Sequence, residues 1–341
     1  MKETFHDIIG LGAAGEHLQN ALRTGAVSHA YILYGEKGSG RRLLAGVFAA
    51  ALQCETRAEN PALTDRCGTC PSCIRYESDA HPDIITVTHE KKSKSDKRTD
   101  LSVDDIRRVV SDVPIRPYGS PYKVYILPDA DKMTPQAQNA LLKTLEEPPA
   151  YAVLLLLATS LSAFLPTVLS RCVALKISPL PEEQVEQYLT AKCGEDRQHA
   201  RIVSRFAAGS IGRAKELAES PDFASQYDAV VELLKNLPRK DITALLEFSK
   251  EYGKDRTAMP EVLGLMRSWY RDVLFYKETG WAAGLIFVGE VQYIIEAAVR
   301  TPAENLGRIL AAFDTAERQM KYNTNLELIL EVLLLDLKKY G

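Results

Sequence analysis

Residues 31–42 read Tyr31-Ile32-Leu33-Tyr34-Gly35-Glu36-Lys37-Gly38-Ser39-Gly40-Arg41-Arg42, and a stretch of helical character, Leu43 to Gln53, follows. A short apolar strand, a glycine-rich loop and a helix form the context in which backbone N–H groups and a helix N-terminus can surround a phosphate. The pattern G-x-x-x-x-G-K-[ST] holds from Gly35 to Gly40 and then departs. A lysine should reach the β/γ-phosphates and a hydroxyl should ligate Mg²⁺, but Arg41 and Arg42 occupy those positions. Arg41 keeps the charge, yet a planar guanidinium does not replace a compact ammonium in an enclosed site, and Arg42 offers no oxygen to a cation. Gly35, Gly38, Gly40 and Arg41 therefore read as a degenerate phosphate loop with weak or absent ATP binding. Ordinary loop use of the glycines is the alternative.

Farther along, Val124-Tyr125-Ile126-Leu127-Pro128-Asp129-Ala130-Asp131 has the form of the second half of such a site, a hydrophobic strand ending in acidic residues. Asp129 could hold Mg²⁺ as a vestige, whereas Ala130 stands where a glutamate would polarise the attacking water. With the lysine and the hydroxyl also missing, efficient hydrolysis is not expected.

Working outward, Ile84 to Val87, Val153 to Leu157 and Val173 to Leu175 are further short, nearly continuous apolar runs separated by helix-sized segments. That alternation predicts a parallel sheet covered on both faces. Ser102 with Asp105 three residues later predicts an N-cap for a helix over Val103 to Val113. After Ser178-Pro179-Leu180-Pro181 the strand signals stop, and helical spacing runs through Glu183 to Ala191, Ala200 to Ala207 and Arg213 to Ala218. The expected organisation is an α/β domain over 1–178, a small helical domain over 179–220 and an all-α domain over 221–341. The final run, Leu326 to Leu335, is apolar on more than one helix face, which suits core packing or a subunit contact. His89 to Arg98 is a charged, low-complexity stretch that reads as a solvated loop, with a DNA-backbone contact as the alternative.

At 341 residues, 46% hydrophobic and 26% charged, the composition is that of a globular chain rather than a disordered one. The formal charge of −3 gives no overall attraction to nucleic acid or anionic membrane, so such binding would need a local patch. The polar start Met1 to Asp7 lacks the apolar run of a secretory signal, and Ala152 to Leu169 is broken by Thr159, Ser160, Ser162, Pro166 and Thr167. The expected location is the cytoplasm, with no membrane partner.

Four of the six cysteines, Cys54, Cys67, Cys70 and Cys73, fall within about twenty residues, and three of them have two-residue spacing. Four thiolates suit a closed tetrahedral Zn²⁺ site of structural purpose, with an iron–sulfur cluster as the competing reading. Cys172 and Cys193 are expected to be buried small apolar residues.

Leu141-Leu142-Lys143-Thr144-Leu145-Glu146-Glu147-Pro148-Pro149 and Ser170-Arg171-Cys172, taken with His29-Ala30-Tyr31 and the cysteine cluster, follow one another in an order that resembles the delta prime family of bacterial DNA polymerase III clamp-loader subunits. The resemblance implies an AAA+ (P-loop NTPase-like) domain carrying a zinc module at about 54–73, a helical lid and a C-terminal collar. It also implies assembly with gamma/tau ATPase and delta subunits to load a sliding clamp on primer-template DNA. Arg171 would point across an interface into a neighbour's ATP site as an arginine finger, and Arg213, in Gly209-Ser210-Ile211-Gly212-Arg213, would belong to a second nucleotide-sensing segment. DNA would lie inside the ring, near the helix that begins at Ser102 and carries Arg107 and Arg108. A hydrolysing gamma/tau-type ATPase is the main rival, and a zinc-dependent nucleic-acid-binding protein outside any loader is a further one.

Overall fold

The structure, a computed structural model, describes residues 3–10, 12–60, 62–88, 101–256, 258–320, 322 and 324–341. The charged stretch 89–98 lies outside them. The chain divides into two compact units, Met1–Leu180 with Ser210–Gly212, and Pro181–Gly209 with Arg213–Gly341. The first break falls two residues beyond the boundary expected at 178, and the one expected at 220 lies inside the second unit.

In the first unit α1 (Gly12–Thr24), β1 (Ala30–Tyr34), α2 (Arg41–Gln53), α3 (Glu55–Glu59), α4 (Pro71–Glu77), β2 (Ile84–Thr86), α5 (Val103–Asp112), β3 (Lys123–Leu127), α6 (Pro135–Glu146), β4 (Ala152–Ala158), α7 (Pro166–Leu169) and β5 (Val173–Lys176) follow in order. The strands form one parallel sheet ordered β2-β3-β4-β1-β5. Every residue of β3 and β4 is buried, because helices cover both faces. The alternation of the strands sorts the core in two. Tyr31, Leu33, Val124, Ile126, Val153 and Leu155 pack with Leu18, Leu44 and Phe48 on one face. Ala30, Ile32, Tyr125, Leu127, Leu154 and Leu156 pack with Ile106, Leu141 and Leu145 on the other. β1 lies between β4 and the edge strand β5, and its C-terminal end leads into the glycine loop, where open α/β sheets place their ligands.

Ser102 caps α5 as expected, accepting from the N–H of Asp105 while the Asp105 carboxylate takes the N–H of Ser102 at 2.8 Å. At the other end of α5 the buried Lys123 ammonium and the Tyr125 hydroxyl both donate to Asp112, at 2.9 and 2.7 Å. Burial alone would raise the Asp112 carboxyl; those two donors outweigh it and hold it below the usual carboxylate range.

The second unit is helical: α8 (Glu182–Tyr188), α9 (Arg197–Phe206), α10 (Ile211–Ala218, whose first two residues group with the first unit), α11 (Pro221–Asn236), α12 (Ile242–Tyr252), α13 (Met259–Thr279), α14 (Val291–Arg300), α15 (Ala303–Met320) and α16 (Leu326–Tyr340). A π-helical turn, Leu189–Cys193, extends α8. It ends at Gly194 with the Cys193 side chain outward, so Cys193 is exposed and not the buried residue expected; Cys172 is partly buried. α10 begins before Arg213, which therefore lies in its first turn rather than at its start. Along α16 Ile329, Leu330, Leu333, Leu334 and Leu337 are buried, while Leu328, Val332 and Leu335 form an exposed apolar stripe. No described helix is long and apolar enough to cross a membrane.

Asp272 on α13 is wholly buried and organises this unit: its carboxylate accepts the N–H of Ile286 at 2.6 Å, the N–H of Phe287 at 2.9 Å and Arg271 at 2.7 Å. Asp272→Ala strands two buried backbone donors, each worth about 1–3 kcal/mol when unsatisfied. A loss of about 2–5 kcal/mol is expected in denaturant unfolding; a change within 0.5 kcal/mol would mean that water serves those groups equally well.

Candidate functional site

The glycine loop is set by backbone geometry. A Cβ on Gly35 would lie 2.6 Å from the Ile177 carbonyl oxygen, so the chain can leave β1 this closely only without a side chain. Gly38 and Gly40 take positive φ of 78° and 86°, and Gly40 is the N-cap of α2. α2 starts at Arg41, so both arginines sit on its first turn, ahead of Leu43, where the sequence pattern predicts helical character to begin. The loop is also touched by Gly212, whose N–H donates to the Gly38 carbonyl at 3.3 Å.

Beyond β3 the chain makes a tight turn. Asp129 is left-handed with φ of 49°, and its carboxylate lies 3.6 Å from the Lys132 ammonium. Asp131, to which the sequence pattern assigns no role, is the carboxylate turned toward the loop. It accepts the N–H of Thr159 at 2.8 Å and the Thr159 hydroxyl, and it feels the charge of Arg41. Burial pushes the Asp131 carboxyl up, but those hydrogen bonds and that charge bring it below its ordinary value. Around the loop Ser39 Oγ, Arg41 Nη1 and Asp131 Oδ1 are buried without a hydrogen-bond partner among the described residues. Buried polar atoms in that condition are what a polar guest or an ordered water would satisfy.

Arg171 stands just past α7, at 34% side-chain exposure. Its Nη1 donates to the Thr167 carbonyl at 2.9 Å and to Ser170 Oγ at 3.2 Å, and its Nη2 lies 2.9 Å from Glu146 Oε1 at the end of α6. The two helices are joined upstream by the buried Gln138, which donates to the Ala163 carbonyl at 2.8 Å and accepts the N–H of Leu165 at 2.8 Å. Arg213 lies 3.9 Å from Glu261 on α13.

The four cysteines converge. Cys54 is the C-cap of α2, Cys70 the N-cap of α4 and Cys73 lies inside α4; with Cys67 their sulfurs all fall within 4.8 Å of one another. Cys67 and Cys73 sulfurs are 3.9 Å apart, and those of Cys54 and Cys70 are 4.0 Å apart. A tetrahedral ion with Zn–S bonds of about 2.3 Å separates its sulfurs by about 3.8 Å, so the donor set fits Zn²⁺. Burial alone would raise the Cys67 thiol, but hydrogen bonds from the Thr56 hydroxyl and from the N–H groups of Thr69 and Cys70 lower it to about 5. Burial pushes the Cys54 and Cys73 thiols up, a cost that a cation among the sulfurs would offset. Arg66, fully buried, pairs with Glu77 at 2.9 Å and braces the module from outside the sulfurs.

The family model "DNA polymerase III, delta subunit" matches residues 11–181, and "DNA polymerase III, delta subunit, C terminal" matches residues 221–339. DNA polymerase III subunit delta′ of Pseudomonas aeruginosa is 31% identical over 318 residues, 90% of either chain. The corresponding delta′ of Bacillus subtilis is 26% identical over 94% of either chain. DNA polymerase III subunit tau of Bacillus subtilis is 26% identical over 97% of this chain, which spans only 60% of the length of that relative.

Proposed function

The chain belongs to the DNA polymerase III delta subunit family, and from that premise we propose that it is a clamp-loader subunit of delta prime type, one that does not hydrolyse ATP and lends Arg171 to a neighbour's ATP site. The observation that carries the reading is the pair of arginines on the first turn of α2, where phosphate-loop chemistry calls for a lysine and a hydroxyl. The cradle is built; its catalytic groups are missing. Asp131 faces Arg41 and offsets its charge, so the buried polar atoms of the loop do not restore a nucleotide site. Gly35, Gly38, Gly40, Arg41 and Asp129 are then remnants of an ancestral nucleotide site.

In the neighbour's site water adds to the γ-phosphorus of ATP while the bond to the β,γ-bridging oxygen breaks, and ADP leaves with the electron pair. The guanidinium of Arg171, supplied in trans, offsets the negative charge on the transferring phosphoryl oxygens. The partners of this reading are gamma/tau-type ATPase and delta subunits, the sliding clamp and primer-template DNA. Residues 179–220 act as the lid and 221–341 as the collar, where the exposed Leu328, Val332 and Leu335 stripe suits a subunit contact. Zn²⁺ held by Cys54, Cys67, Cys70 and Cys73 would have no open coordination position and would serve structure.

Titration of the purified chain with a fluorescent ATP analogue and Mg²⁺ is expected to give weak binding or none, and no turnover. Micromolar affinity accompanied by turnover would replace this reading with that of a gamma/tau-type ATPase.

A further inference from the structure

The contacts of Arg171 are unequal in what they can do. Thr167 and Ser170 lie on the same short turn as Arg171 and move with it, so they set the side-chain rotamer but do not anchor it to the domain. Glu146 comes from another element. It ends α6, which is rooted in the core by Leu141 and Leu145, at 0% and 2% exposure, and tied by Gln138 to the segment that enters α7. A carboxylate at 2.9 Å from that position therefore refers the guanidinium to the rigid sheet domain rather than to its own loop. Hydrogen bonds to Thr167 and Ser170 use both Nη1 donors of the guanidinium, which leaves its Nε and Nη2 donors for the Glu146 ion pair and for an acceptor outside the chain.

We propose that Glu146 is a positioning residue for Arg171, holding the guanidinium in the orientation from which its remaining donors reach the neighbour's transferring phosphoryl group. The proposal rests on the arginine-finger reading above. Ordering a long side chain before assembly removes part of the entropy that docking it would otherwise cost, and a finger gains rate only when it is correctly aimed. Glu146 contacts neither the nucleotide nor the attacking water in this scheme; it acts through Arg171 alone.

The test is a set of variants in the reconstituted clamp loader, with ATPase followed as kcat and KM for ATP. Glu146→Ala is expected to lower kcat at the affected site by about two- to five-fold, the range that an exposed ion pair supplies, with KM unchanged. Glu146→Asp should recover part of the loss and Glu146→Gln little, because the charge is what holds the arginine. In an Arg171→Ala background Glu146→Ala should add nothing, the coupling expected of two residues acting as one unit. An unchanged kcat in Glu146→Ala overturns the proposal, and so does an equal loss in both backgrounds, which would assign Glu146 a structural role. If Arg171→Ala itself leaves the rate unchanged, the finger reading falls first, an outcome seen without any Glu146 variant.

Discussion

Arg171→Ala should leave this chain folded and nearly abolish hydrolysis at one site of the assembled loader. The stability side follows from exposure: the guanidinium is a third exposed and its partner Glu146 half exposed, and ion pairs of that kind contribute about 0–1 kcal/mol. The melting temperature should therefore move by no more than about 2–4 °C. The rate side follows from charge. An arginine supplied in trans to a phosphoryl-transfer site is worth about 10³ to 10⁵ in rate, because it neutralises charge that develops only in the transition state. Only the site facing this subunit is affected, so steady-state turnover falls partway while a rapid-quench burst should lose one ATP per complex. Arg171→Lys should fail to restore it, since an ammonium keeps the charge but not the planar fork. A burst and a steady-state rate both unchanged in Arg171→Ala would remove the finger.

The sequence disclosed what depends on local pattern. The all-apolar run of β4 predicts burial on both faces because only a covered parallel strand needs it, and the Ser102–Asp105 cap is a contact three residues long. The cysteines were legible from spacing alone, since a C-x-x-C-x-x-C run turns its sulfurs inward over one short loop and helix start. What stayed hidden depends on how distant segments are brought together. Which carboxylate faces the glycine loop is decided by the left-handed turn at Asp129, which points that residue at Lys132 and swings Asp131 to Thr159 and Arg41. The Glu146–Arg171 pair joins the ends of two helices separated by a whole strand, and no periodicity reports it. The outward turn of Cys193 is a property of the π-helical turn, not of cysteine.

The second large effect is expected from the metal. Purified protein should contain about one zinc per chain, and Cys70→Ser or prolonged chelation should lower the melting temperature of the first unit by roughly 10 °C or more. The size follows from two steps. Binding energy at a structural zinc site is folding energy, on the order of 10 kcal/mol for four thiolates, and losing one ligand forfeits several kcal/mol of it. For a unit of this size each kcal/mol moves the transition by about 2–4 °C. The loss should be confined by topology: Cys54 ends α2, the helix that the glycine loop opens, so loosening the module frays α2 from its far end, whereas Arg171 lies beyond β4. ATP turnover at the neighbour's site should therefore persist at temperatures below the new transition. Cys193→Ser, an exposed thiol outside the cluster, is the matched control and should change nothing. Metal analysis without zinc, or a Cys70→Ser variant melting with the parent, would mean that the four sulfurs converge for packing alone; iron in its place would restore the cluster reading that the C-x-x-C-x-x-C spacing left open.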